Sequence, residues 1–186
     1  PFAPALRHRQ RRRRQGLSVM VFDLNRFKDV NDTLGHAAGD AVLVRMAQRI
    51  SSQLSGPDTL GRLGGDEFGV LLGDCTEDES VATIHRLFPM LGCPIDLEAG
   101  TVDLGVSVGI ARFPEHGTDA DSLMRRADAA MYTAKRTRSG FAAYQPGEEE
   151  AAHRQLALMS ELGRAIRDDE LVLHYQPKID LRSQSV

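Results

Sequence analysis

Apolar and polar positions alternate in a small number of recognisable periods along this chain. Leu17-Ser18-Val19-Met20-Val21-Phe22 is almost continuously apolar and predicts a buried strand over 17–23. Leu43, Ala47, Ile50 and Leu54 then recur at helical spacing, which predicts an amphipathic helix over 37–54. Thr59-Leu60-Gly61-Arg62-Leu63 and Phe68-Gly69-Val70-Leu71-Leu72 flank a glycine-led tip, the signature of a β-hairpin over 58–73. Val81, Ile84, Leu87 and Leu91 mark a second helix over 78–91. The stretch 101–113 alternates apolar with polar or glycine and reads as a strand, with 94–98 as its candidate partner. A third helix over 120–136 places Leu123, Ala127, Ala130 and Ala134 on one face, and 141–144 reads as a closing edge strand. Gln145-Pro146-Gly147 marks a boundary, after which a helix at about 148–167 leads into the tail. The order β-α-β-β-α-β-α-β predicts an α+β fold, a mixed central β-sheet covered by helices.

The candidate chemistry lies where two of these strands end. Residues 64–68 read Gly-Gly-Asp-Glu-Phe, so the hairpin tip carries two adjacent carboxylates, Asp66 and Glu67. Adjacent acids repel, and a tip built this way suggests a cation to hold. Asp23 ends the first apolar run. Acids on two strand ends can meet at one sheet edge and chelate Mg²⁺, a hard cation held by one or two carboxylates plus substrate phosphates. Plainer readings exist for each residue. Asp23 could cap a helix beginning near Arg26, and Gly-Gly-Asp is good turn chemistry by itself. An EF-hand opening at Asp23-x-Asn25 fails, because Phe27 and Lys28 stand where a ligand and a glycine belong.

Composition narrows the class. With 186 residues and 41% apolar content, the chain suffices for one well-buried domain plus an appendage. A net charge of −3 gives no sign of binding to a nucleic-acid polymer. The run Arg11–Arg14 is the exception, and its plain reading is a solvated helix end. Cys75 and Cys93 lack metal-type spacing and suit idle thiols in a reducing cytoplasm. No apolar run approaches the roughly 20 residues that span a bilayer, and no signal-peptide pattern is present. The expected location is cytoplasmic, although a full-length protein could be membrane-anchored.

Three motifs in order give the chain a family resemblance. FDLNRFKDVNDTLGHAAGD at 22–40, GGDEF at 64–68 and ADAAMYTAK at 127–135 together resemble the GGDEF diguanylate cyclases, over roughly Phe2 to Tyr144. LVLHYQPKIDL at 171–181 resembles the opening strand of an EAL phosphodiesterase domain. The resemblance implies a cyclase-like relative of the ferredoxin-like βαββαβ plan. It implies a GGDEF domain over 1–146 with a shortened entry segment, then a linker helix and the first strand of a truncated EAL domain over 147–186. It also implies a bacterial second-messenger enzyme that condenses two GTP into cyclic di-GMP with Mg²⁺ (or Mn²⁺). The enzyme would act as a homodimer, with an attached EAL domain and an upstream sensor in the full-length protein.

The resemblance also assigns roles. Asp23, Asp66 and the Leu24 carbonyl would hold the metal. Glu67, with Asp66 and Lys28, would serve catalysis, Glu67 by helping to deprotonate the attacking 3′-hydroxyl or by orienting a second metal. Asn31 and Asp40 would read guanine, beside Phe27. A carboxylate can accept from guanine N1–H and N2–H₂, whereas adenine offers no such pair, which favours GTP over ATP. Lys28 and Lys135 would neutralise the triphosphate, aided by backbone N–H groups around Asn25 to Phe27.

Two departures bear on function. Ser139 stands where the family carries a phosphate-binding arginine. Arg138 lies one place earlier and is the candidate substitute for binding the substrate's phosphates, although on a helix its direction differs by about 100°. Ser55-Gly56-Pro57-Asp58 stands where many members carry an Arg-x-x-Asp motif that binds the product, so Asp58 lacks its arginine and reads as a turn residue. The resulting alternative is a catalytically weak GTP-binding module that regulates an attached EAL phosphodiesterase domain.

Overall fold

The computed structural model describes residues 16–98, 100–175, 177 and 182. The Arg11–Arg14 run and the residues of the expected entry segment lie outside the described residues, as do positions 176 and 178–181 of the tail. The chain divides into two compact units, Pro1–Glu149 and Glu150–Val186.

The first unit is built on a five-stranded sheet of order β2-β3-β1-β6-β7. Its strands are β1 (Leu17–Leu24), β2 (Thr59–Gly64), β3 (Glu67–Leu72), β6 (Val106–Phe113) and β7 (Phe141–Ala143). β1 runs antiparallel to both β3 and β6, and β7 closes the edge parallel to β6. A separate two-stranded ribbon joins β4 (Ile95–Leu97) to β5 (Gly100–Val102). The helices of this unit are α1 (Phe27–Leu34), α2 (His36–Ser51), α3 (Glu77–Leu91), α4 (Ala120–Thr137) and the start of α5 (Glu148–Arg167).

β1 is apolar throughout because both of its faces are covered. Met20, Phe22 and Leu24 join a cluster with Val42, Met46 and Ile50 of α2 and Ile84, Leu87 and Leu91 of α3. The alternate residues, Leu17, Val19 and Val21, pack with Leu123, Ala127 and Met131 of α4. Each fully buried side chain of this size contributes about 1.5–3 kcal/mol. α4 lies so close to the sheet that a Cβ on Gly109 would sit 1.9 Å from the Ala127 carbonyl oxygen. That contact fixes α4 across β6 and carries its C-terminal turn to the Asp23 end of β1.

Two elements differ from the sequence reading. The expected strand 101–113 is two strands, because the chain leaves the sheet at 103–105, where the Gly105 carbonyl accepts from Asn25 N–H (2.8 Å). The segment before α2 is itself a helix, ended by Gly35 at φ 85°. In the second unit, α5 continues to Arg167 and exposes Leu158, Leu162 and Ile166, and residues 171–175 carry no regular structure.

Candidate active site at the hairpin tip

The hairpin tip docks on the end of β1. Asp23 and Glu67 are cross-strand partners in the β1–β3 register, and Leu24 N–H donates to the Asp66 carbonyl at 3.3 Å. The tip holds its shape by local means. Gly65 takes φ 47°, which favours glycine. Its carbonyl accepts two bonds from the Arg62 guanidinium, at 3.0 and 2.7 Å. The alternation of β1 and β3 puts Asp23 and Glu67 on the face covered by α4, in line with Val21 and Leu71.

From α4, Lys135 reaches down to Asp23, Nζ to Oδ1 2.6 Å, across 112 positions of sequence. Asp23 is 8% exposed, so this lysine compensates a nearly buried carboxylate. Burial, then the charges of Asp23 and Asp66, raise the pKa of Glu67 from its ordinary value, against the pull of Lys135. The tip thus carries more negative charge than its lysine offsets.

A fourth acid joins this cluster, and the sequence reading did not single it out. Asp128 of α4 is exposed as a residue, yet the protein packed around its carboxyl, and secondarily Glu67, push its pKa up to about 6. Its signal was available: Asp128 lies inside the ADAAMYTAK motif, two helical turns before Lys135.

The remaining candidates lie around α1. Phe27 is buried. The Asn31 side chain packs against Gly39, where a Cβ would meet its Oδ1 at 2.0 Å, and Asp40 follows directly on α2. Asn31 and Asp40 therefore neighbour one another at the α1–α2 junction. Lys28 is exposed on the first turn of α1 and makes no ion pair among the described residues. Arg138 is the C-cap of α4 with φ 55°, and its side chain lines a cavity that Lys135 also lines. Ser139 Oγ donates to the Phe141 carbonyl (3.1 Å). Asp58 closes its own turn, accepting from Ser55 N–H (2.9 Å), Ser55 Oγ (3.1 Å) and Gly73 N–H (3.2 Å).

The donor set suits a hard divalent cation only in part. Asp23 and Asp66 carboxylates with the Leu24 carbonyl provide oxygen ligands of the kind Mg²⁺ takes, but no group of three acids, histidines or cysteines among the described residues is placed to hold a metal unaided.

Comparison with known proteins agrees with this geometry. The family model for the diguanylate cyclase GGDEF domain matches residues 2–140. A bifunctional diguanylate cyclase/cyclic di-GMP phosphodiesterase, MucR of Pseudomonas aeruginosa, is 40% identical over 164 residues, 87% of this chain and 24% of that protein. A cyclic di-GMP phosphodiesterase of Escherichia coli, PdeR, is 39% identical over 169 residues, 90% of this chain and 26% of that protein. The chain thus spans about a quarter of the length of these relatives. The crystal structure of the GGDEF domain of TpbB from Pseudomonas aeruginosa superposes with a TM-score of 0.72 at 41% identity, covering 77% of this chain and 91% of that one. Among the described residues no helix is long and apolar enough to cross a membrane. The acid-bearing hairpin docked on β1, the sheet order and these matches agree: the chain belongs to the diguanylate cyclase GGDEF domain family.

Proposed function

We propose that this domain binds GTP with Mg²⁺ (or Mn²⁺) and condenses two GTP into cyclic di-GMP. The observation that carries the reading is the meeting of Asp23, Asp66 and Glu67 at one sheet edge, with Lys135 supplied by α4. Asp23, Asp66 and the Leu24 carbonyl would hold the metal, which supplies charge neutralisation on the phosphates when bound. Asn31 and Asp40 hydrogen-bond the guanine edge beside Phe27, and that edge discriminates against adenine. Lys28 and Lys135 meet the phosphates. Glu67, beside Asp66 at the hairpin tip, accepts the proton of the 3′-hydroxyl. The 3′-oxygen then bonds to the α-phosphorus, the bond to the bridging oxygen breaks, and pyrophosphate leaves. One domain holds one GTP, so the reaction needs two domains facing each other, with positioning and electrostatics as the main contributions.

A second reading has its own observation. Ser139, at the family's arginine position, is committed to the Phe141 carbonyl and offers no charge to a triphosphate. A domain that binds GTP without turnover would then regulate an attached EAL phosphodiesterase domain, alongside an upstream sensor. Incubation with GTP and Mg²⁺ followed by chromatography separates the two. Cyclic di-GMP, formed at a rate that rises faster than protein concentration, supports the cyclase. Saturable GTP binding without product supports the regulatory module.

A further inference from the structure

The end of β1 supplies both the Asp23 carboxylate and the Leu24 carbonyl, and their directions depend on how the turn after them is held. Asn25 follows the last residue of β1, and at Arg26 the backbone takes φ 64° before α1 begins at Phe27. Three contacts from the segment that opens β6 hold Asn25. Its N–H donates to the Gly105 carbonyl at 2.8 Å. Its side-chain Oδ1 accepts from Ser107 Oγ at 3.0 Å, across 82 positions of sequence. Its Nδ2 lies against Gly105 so closely that a Cβ there would sit 3.0 Å away. Ser107 is 2% exposed and stands opposite Asp23 in the β1–β6 register. A buried hydroxyl costs free energy unless it is hydrogen-bonded. Among the described residues the hydrogen bond of this hydroxyl goes to the turn, not into the sheet.

We propose that Ser107 is a positioning residue for the cation. Through Asn25 it holds the β1–α1 turn so that the Leu24 carbonyl and the Asp23 carboxylate converge with Asp66. The inference rests on the metal and nucleotide reading above and adds Ser107 and the Asn25 side chain to it. Neither residue touches the reacting atoms. Mg²⁺ demands near-ideal octahedral geometry at short ligand distances, so a turn free to shift loses part of its ligand set. Groups that orient metal ligands are worth about 10–100-fold in metal affinity. Ser107 and Asn25 are neutral, so they orient the ligands without adding charge to a tip already crowded with acids.

The test titrates Mg²⁺ into the whole chain at a fixed concentration of a non-hydrolysable GTP analogue, followed by melting temperature and by calorimetry. The proteins are wild type, Ser107→Ala, Asn25→Ala and the double variant, and melting curves without ligand establish that each is folded. Each single variant should raise the half-saturating Mg²⁺ concentration about tenfold or more. The double variant should exceed the worse single variant by no more than about twofold, because both changes remove one bond. The affinity ratio of GTP to ATP analogues at saturating Mg²⁺ should stay within about twofold of wild type, because the guanine-reading residues lie at the α1–α2 junction. An unchanged Mg²⁺ requirement in Ser107→Ala, or fully additive losses in the double variant, overturns the proposal even where the melting temperature falls, and assigns Ser107 to the fold alone. A wild type whose analogue binding does not depend on Mg²⁺ overturns the metal reading, and the positioning role with it.

Discussion

The strands β1 and β6 end in a charged cluster on each side of the sheet, and the two clusters are built on opposite principles. At the Phe113 end, Arg112 is 9% exposed and its guanidinium is flanked by Glu77, at 2.6 Å, and Glu115. Positive and negative charge meet there with acids in modest excess, and both acids remain largely in water. At the Asp23 end, Asp23 and Asp66 push on Glu67, Glu67 pushes on Asp128, and Lys135 forms its ion pair with Asp23 while also drawing on Glu67. The first arrangement fastens β6 to α3. The second stores unbalanced negative charge at a place where nothing in the packing requires it. The ion pairs of Arg112 with Glu77 and Glu115 are explained by folding, even though Arg112 Nε is buried without a hydrogen-bond partner; the less paired acids at the Asp23 end fit the proposed cation and nucleotide.

The contrast is broken most directly by neutralising one acid at each end. Asp66→Asn should lower cyclic di-GMP formation by roughly 10²–10³-fold, the scale of losing a preorganised electrostatic contact, with the melting temperature held or raised. Arg112→Leu should do the reverse, costing about 1–3 kcal/mol in urea denaturation, with nucleotide affinity of the folded protein unchanged. If Arg112→Leu abolishes nucleotide binding while stability holds, the two ends are not separable as described.

Smaller effects sharpen the account. Asp58→Ala removes acceptors from Ser55 and Gly73 and should cost about 1–2 kcal/mol. Calorimetry with cyclic di-GMP should show no binding at this turn before or after the change. Asp128→Asn should stabilise at pH 7.5 by less than about 1 kcal/mol, since the group is partly screened. The sign follows from linkage. A carboxyl whose pKa is raised to about 6 in the folded state favours folding while protonated, and that contribution is lost as pH rises from about 4 through 6. The advantage of Asp128→Asn over wild type should therefore be absent near pH 4, grow from about pH 4 to 6 and level off above pH 6. A melting-temperature difference independent of pH would assign Asp128 no buried charge.

What the sequence made legible was local. Gly64–Phe68 carries its own turn chemistry and its own acids, and the hairpin stands where its flanks predict. The helix from Glu148 to Arg167 follows from the punctuation before it. What remained hidden depends on tertiary approach or on backbone that breaks a period. The alternation of 101–113 runs unbroken through Asp103–Gly105, so nothing in the pattern reveals that the chain leaves the sheet to meet Asn25. Asp128 sits among alanines of α4 and reads as a solvated position, and its closeness to Glu67 emerges only in the fold. The partnership of Lys135 with Asp23 spans 112 residues and has no periodic trace. Arg138 was expected to bind substrate in place of the missing arginine, but its direction could not be read from a helical rule that its φ of 55° sets aside.

The central claim is that the crowded acids form a metal site completed by a nucleotide. Its most direct measurement is the melting temperature of the protein with Mg²⁺ alone, with a non-hydrolysable GTP analogue alone, and with both. The account predicts a small shift with either and a clearly larger one than their sum with both, because two carboxylates need phosphate oxygens to complete the shell. The excess should disappear in the Asp23→Asn/Asp66→Asn double variant. Equal stabilisation of wild type and the double variant would contradict the account.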